Sequence, residues 1–146
     1  MRKRTLALLL PALIALGGWR AQQRSADEAS IRATVQHYFD GMMNGSPESL
    51  RKAFDANAFL IGVGKTEPNR IPFESWAANM TRPMPNPQQY KNTILSIDIA
   101  GNAAVAKTEL DWPKVRYVDY LSLLKINGEW RVVNKIWHTD SKSAQP

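Results

Sequence analysis

From residue 25 onward the apolar positions recur first at helical spacing and later at every second residue. Ile31, Val35, Tyr38, Phe39, Met42 and Met43 gather on one side of a helix, which predicts a first helix with a single apolar stripe. Ser25-Ala26-Asp27-Glu28 has the spacing of a capping box at its start, and Gly45 stops it. Ser46-Pro47-Glu48 opens a second helix, with Ser46 as N-cap, Pro47 in the first turn and an acid at the positive end of the dipole. That helix has Leu50, Ala53 and Phe54 as its apolar side and is expected to end near Ala56; the apolar run 58–63 then reads as a strand.

Residues 66–92 hold five of the nine prolines. One short helix fits within them, at 72–80, with Phe73, Trp76, Ala77 and Met80 on one side. Pro83-Met84-Pro85-Asn86-Pro87 joins neither a helix nor a sheet interior and is expected as an ordered surface loop. From Tyr90 the period becomes two. Leu95, Ile97 and Ile99 alternate with Ser96 and Asp98, Gly101-Asn102 turns the chain, and residues 103–112 return. A second hairpin, 115–126 and 129–139, closes on Asn127-Gly128.

Helices followed by a meander of strands predict an α+β domain with the helices on one face of an antiparallel sheet. The turns set the register and therefore the faces. Pairing Ile126 with Glu129 in a straight ladder puts Leu123 opposite Val132, Leu121 opposite Asn134, Asp119 opposite Ile136 and Tyr117 opposite His138 on the helix side. In the other hairpin that side carries Leu95, Ile97, Ile99, Ala104, Ala106, Thr108 and Leu110. The reverse face then presents Val118, Tyr120, Val133 and Trp137 among Arg131 and Lys135, a mixture that fits a subunit interface.

The chain has 146 residues, 44% hydrophobic and 22% charged, a length and composition suited to one globular domain. Its net charge of +6 is concentrated at the start: residues 1–24 hold five basic side chains and no acid, leaving fourteen basic against thirteen acidic residues. The body is thus nearly neutral and offers no clustered positive field for nucleic acid. Arg2-Lys3-Arg4 precedes a short apolar run ending at Gly18, with Ala15 and Gly17 as small residues before a cleavage point after Gly17. This is the form of a signal peptide, and it makes the mature protein of 129 residues periplasmic or secreted; an uncleaved anchor is the alternative. The expected organisation is a leader at 1–24, a domain at 25–140 and a polar tail at 141–146.

With no cysteine and two distant histidines, no metal-ligand spacing appears, and Gly62-Val63-Gly64-Lys65 is too short for a phosphate loop. Neither metal nor cofactor is expected. The glycines there fit a bend or a close backbone approach. His37 lies opposite the apolar stripe and should face solvent. Asp119 is the most informative carboxylate: an inward acid between apolar neighbours either pairs with a polar neighbour or takes part in proton transfer. The inward polar set that could converge is Tyr38, Tyr117, Asp119, Asn134 and His138, with Leu121 and Trp76 as apolar lining. Trp130 is expected to fill the core.

Asp119-Tyr120-Leu121-Ser122-Leu123-Leu124-Lys125, followed by Asn127-Gly128-Glu129-Trp130-Arg131-Val132-Val133-Asn134-Lys135, resembles the C-terminal hairpin of the putative lumazine-binding family, within the NTF2-like superfamily of SnoaL-like cyclases and ketosteroid isomerases. Residues 96–106 resemble the preceding hairpin of the group, and Tyr38-Phe39-Asp40-Gly41 the end of its first helix. The resemblance covers residues 28–138 and implies an NTF2-like (cystatin-like) cone: a bent sheet around helices, with an internal pocket, often homodimeric through the outer sheet face. Three functions stand beside each other. The first is a protein binding a small, largely apolar or aromatic molecule. The second is a cofactor-independent isomerase, cyclase or hydratase with Asp119 or His138 moving a proton. The third is an interaction module with a filled cone.

Overall fold

The computed structural model describes residues 10–142, with side chains from Gly18 onward. Arg2 to Arg4 of the leader and the last four residues of the tail lie outside the described residues. The elements are α1 (Leu10–Asn44), α2 (Pro47–Ala53), β1 (Phe54–Gly62), β2 (Asn69–Pro72), α3 (Phe73–Ala77), a short 3-10 turn (Pro87–Gln89), β3 (Lys91–Ala100), β4 (Ala103–Asp111), β5 (Val115–Ile126) and β6 (Glu129–Ser141). The helices lie against one face of a curled six-stranded sheet of order β2-β1-β6-β5-β4-β3, the expected α+β cone.

The first helix is longer than its capping box predicts, because no Pro or Gly separates Trp19 from Asp40 and the helix runs through Ser25 without interruption. Asp27 is used for a tertiary contact instead: its Oδ1 accepts from Lys125 Nζ at 2.7 Å and from Trp130 Nε1 at 3.1 Å. This tie anchors the buried Trp130 at the closed end of the cone. The Lys125 hydrogen bond holds the Asp27 carboxyl below its ordinary value. Among the described residues no helix is long and apolar enough to cross a membrane.

The second helix starts as expected, with the Ser46 hydroxyl accepting from Ser49 N–H, but it ends at Ala53. Phe54 already belongs to β1, where its ring stacks on Phe73 at 4.8 Å and meets Tyr38 edge-on. That aromatic packing outweighs the local helical pattern. Strand β2 has no clear pattern of its own and forms by antiparallel pairing with β1. The sheet is mixed rather than wholly antiparallel, since β1 runs parallel to β6. A parallel neighbour so far away in sequence leaves no turn signal to read.

Both hairpins turn where expected, with Gly101, Asn127 and Gly128 at positive φ. Their ladders, however, are not straight. In β5–β6 the pairs Leu123↔Val132 and Ser122↔Asn134 leave Val133 as an extra residue. On the other flank of β6, five steps of β1 from Phe54 to Phe59 span two steps of β6 from Val132 to Asn134. The sheet therefore bends at Val133 on both sides, which curls it into a cone. Past this bulge the alternation of β6 reverses: Lys135 and Trp137 turn inward, while Asn134, Ile136 and His138 turn outward. A second bulge at Leu95 puts that side chain, expected inside, on the exposed side, with Ile94 and Ile97 packed against the core.

The core is built by Ile31, Val35, Tyr38 and Phe39 of α1, Leu50 of α2, Leu60 of β1, Leu110 of β4, Leu121 and Leu123 of β5, and Trp130 and Val132 of β6. Burying each such aliphatic side chain contributes about 1.5–3 kcal/mol. On the outer face Val105, Tyr120, Leu124 and Ile136 are exposed on three adjacent strands. Ile136 thus stands opposite Tyr120, where the straight register expects Lys135, and His138 opposite Val118, where it expects Trp137.

Candidate functional site

The open end of the cone holds a cavity of about 330 Å³, within the range of small-ligand sites. Each layer contributes to its wall. Tyr38 and Met42 come from α1, Leu60 from β1, Ile71 from β2 and Trp76 from α3. Leu110, Tyr117, Lys135 and Trp137 come from β4 to β6, with Trp112 at the turn between β4 and β5. Met80 and Met84 close the side left by the proline-rich segment, which is pinned to α1 by Met84 N–H donating to Met43 C=O at 2.8 Å. Flexible thioethers suit a wall that adapts to its ligand. Gly62 supplies the close approach expected of a glycine at the end of β1. A Cβ there would lie 2.5 Å from the Trp137 ring, so only glycine leaves room for that indole at the wall.

Three polar side chains meet in this apolar setting. The Tyr38 hydroxyl donates to Asp119 Oδ2 at 2.7 Å. Lys135 Nζ donates to the Tyr38 oxygen at 3.0 Å and to Asp119 Oδ2 at 3.2 Å. Tyr38 and Asp119 are wholly buried, and Lys135 is 7% exposed. The Lys135 nitrogen also stands over the rings of Tyr38, Trp137 and Trp76 at 5.2, 5.3 and 5.8 Å, an aromatic enclosure favourable to positive charge. Burial pulls the Lys135 ammonium below its usual pKa, against the pull of the Asp119 carboxylate. Burial and the same carboxylate push the Tyr38 phenol well above its usual value, so it remains protonated and can pass a proton between its neighbours.

The structure brings together Tyr38, Tyr117, Trp76 and Asp119 of the residues named from the sequence, and sends the others elsewhere. Tyr38, Tyr117 and Trp76 line the cavity. Asp119 stands behind the wall, reaching the cavity through Tyr38 and Lys135, and is a positioning group rather than a contact residue. Leu121 is fully buried beneath Lys135, its cross-strand partner, and does not line the cavity. Asn134 pairs with Ser122 on the outer side. His138 is also outside, with its side chain 72% exposed and Nε2 2.9 Å from Asp140 Oδ1. The bulge at Val133 accounts for both departures. It equally accounts for the two wall residues that a straight register misplaces, Lys135 and Trp137. The apolar doublet Val132-Val133, which breaks the strict alternation of the strand, is the local signal of that reversal. His37 is exposed, as its place on α1 requires.

Among the described residues two buried side-chain polar atoms lack a hydrogen-bond partner, Asp119 Oδ1 and Thr108 Oγ1, and their residues are register partners across β4 and β5. Among the described residues no three His, Cys, Asp or Glu side chains gather as metal ligands. Chemically, the wall offers an amine and a phenol, both hydrogen-bonded to a carboxylate behind it, in a cavity otherwise aromatic and aliphatic.

Comparison with known proteins agrees with this architecture. An NTF2-like protein of unknown function from Shewanella baltica superposes with a TM-score of 0.72 at 28% identity, over 81% of this chain and 97% of that one. A second, from Silicibacter pomeroyi, gives 0.71 at 24% identity over 80% and 98%. Aldolase FrzH of a Cladobotryum species is 26% identical over 119 residues, covering 79% of this chain and 93% of the relative. The model of the family described as putative lumazine-binding matches residues 26–138. The chain belongs to this putative lumazine-binding family of NTF2-like proteins.

Proposed function

We propose that the cone takes up a small, largely apolar or aromatic compound bearing a carbonyl group, and that Lys135, Tyr38 and Asp119 move a proton on it. The observation that carries this reading is the buried ion pair whose lysine lines the cavity. Desolvating two charges costs several kcal/mol per ion, and an apolar pair of similar volume would hold the fold as well. A perturbed amine facing a ligand-sized cavity has a chemical use that a purely structural pair lacks. In this reading Lys135 contacts the carbonyl oxygen, and the Tyr38 hydroxyl carries the proton to or from Asp119. The relative Aldolase FrzH supports it, since aldol chemistry makes or breaks a carbon–carbon bond beside a carbonyl group and moves a proton at that carbon on the way.

The test is deuterium exchange at the methylene protons of 2-tetralone in D2O, followed by ¹H NMR. Wild type should accelerate exchange, and Lys135→Met should lose about 10²-fold or more of that acceleration. Binding of the ketone without any acceleration would leave the simpler reading, a binding protein whose aromatic wall holds its ligand and does no chemistry.

Export and self-association belong to the same proposal. The basic start and short apolar run support secretion, to be read from the loss of 17 residues in the intact mass of protein recovered from the periplasm. The exposed Val105, Tyr120, Leu124 and Ile136 support a homodimer through the outer sheet face, and Tyr120→Glu should give monomers by light scattering while ligand binding persists.

A further inference from the structure

We infer that Lys135 is a nucleophile that captures the carbonyl carbon of a small aromatic aldehyde or ketone in the cone as an imine, while Tyr38 and Asp119 handle the protons. The inference rests on the carbonyl-binding reading above and goes beyond it, from contact to a covalent bond. Three features of the site lead there.

The first is geometry. A neutral lysine nitrogen has two N–H bonds and one lone pair in tetrahedral array. The two acceptors, the Tyr38 oxygen at 3.0 Å and Asp119 Oδ2 at 3.2 Å, are themselves 2.7 Å apart and so lie together on one side of the nitrogen, where its two N–H groups reach them. These two bonds leave the lone pair as the third direction, on a residue that forms part of the cavity wall. The second is proton access. Asp119 touches both Lys135 and Tyr38, so a proton can leave the ammonium directly or by way of the phenol. The third is charge continuity. The protonated imine keeps one positive charge on the same nitrogen, where the Asp119 carboxylate and the rings of Tyr38, Trp76 and Trp137 already accommodate it. Capture therefore requires no new charge in the apolar cavity. A lysine desolvated in this way is the usual form of an amine nucleophile.

Asp119 accepts one proton from the Lys135 ammonium. The lone pair forms the C–N bond as the carbonyl π pair moves to oxygen, which takes up a proton returned through Tyr38. The resulting hydroxyl leaves as water with a second proton that originated on the nitrogen. The product is a protonated imine: the ammonium has lost two hydrogens, both carried off with the carbonyl oxygen. No oxidant or reductant takes part.

The experiment uses the full chain, benzaldehyde as the probe and sodium cyanoborohydride near neutral pH to reduce any imine to a stable secondary amine. Intact mass should rise by one aldehyde less one oxygen atom, and peptide mapping should place the label on Lys135 in excess of any exposed lysine, such as Lys65 or Lys114, by on the order of tenfold. Lys135→Arg, which keeps the charge but cannot form the imine, should lose this label. The wild-type map stands without any variant. Tryptophan fluorescence reports separately whether benzaldehyde enters the cavity, since Trp76, Trp112 and Trp137 line it. Quenching with the label confined to surface lysines would overturn the imine and leave the carbonyl-binding reading intact. Neither quenching nor label at Lys135 would overturn both.

Discussion

Replacing Asp119 by Asn tests the buried set most searchingly, because it removes one charge and leaves the shape nearly unchanged. Oδ2 accepts from both Tyr38 and Lys135, so a neutral amide there strands the Lys135 ammonium in a site only 7% exposed. Breaking a buried pair in this way costs about 3–5 kcal/mol, a fifth or more of the roughly 5–15 kcal/mol that holds a domain together. Lys135 has an escape, which is to lose its proton. Asp119 is the group that raises its pKa against burial, so the variant moves that pKa further below the ordinary 10.5.

The sign of the resulting pH dependence follows. Between the depressed folded value and 10.5 the unfolded chain binds more protons than the folded one, so stability rises with pH through that window. The Tyr38 phenol acts oppositely, but only above its ordinary value of 10, where the unfolded chain ionises first. Urea unfolding followed by tryptophan fluorescence, at several pH values from neutral to about 9, should therefore find Asp119→Asn least stable at the neutral end and partly recovered at the alkaline end. The double variant Asp119→Leu with Lys135→Met should recover most of the loss, because no charge is then left unpaired. A single-variant cost under about 1 kcal/mol with no pH slope, or a double variant whose cost is the sum of its singles, would refute the coupling.

Three further outcomes follow from particular atoms. Thr108→Val removes a buried hydroxyl that has no partner, so its melting temperature should correspond to a change within about 1 kcal/mol of zero, in either direction; a larger loss would mean the hydroxyl is bonded. Asp27→Asn should lose about 1–2 kcal/mol near neutral pH, measured by urea titration. Because that carboxyl is held below 3.8, its contribution is full above 3.8 and fades as pH falls through the lower folded value, so the variant should show a flatter acid limb. Gly62→Ala drives a methyl into the Trp137 ring and should cost about 1–3 kcal/mol while shrinking the cavity, seen as weaker quenching by benzaldehyde.

Much of the fold was legible because its signals are local. The stripe on α1, the Ser46-Pro47 start of α2 and the two hairpin turns each depend on residues within a few positions of one another. The parallel pairing of β1 with β6 and the formation of β2 depend on distant partners and leave no such trace. The site was half legible for a related reason. Tyr38 and Asp119 do not depend on the bulge: one is placed by helical period, the other by a strand whose own alternation is unbroken. Lys135, Trp137, Asn134 and His138 follow Val133, and one extra residue exchanges the faces of all four. An inward Asp119 flanked by apolar residues needs a cation, and Lys135 is the one that the bulge turns toward it.

A crystal structure of the protein with 2-tetralone tests the central claim most directly. The ketone should lie in the cavity between Trp76, Trp112 and Trp137, with its carbonyl end against Lys135 Nζ and the Tyr38 hydroxyl, at hydrogen-bond distance or bonded through the carbonyl carbon. A ketone lying with its carbonyl toward Met80 and Met84, or bound only outside the cone, would contradict it.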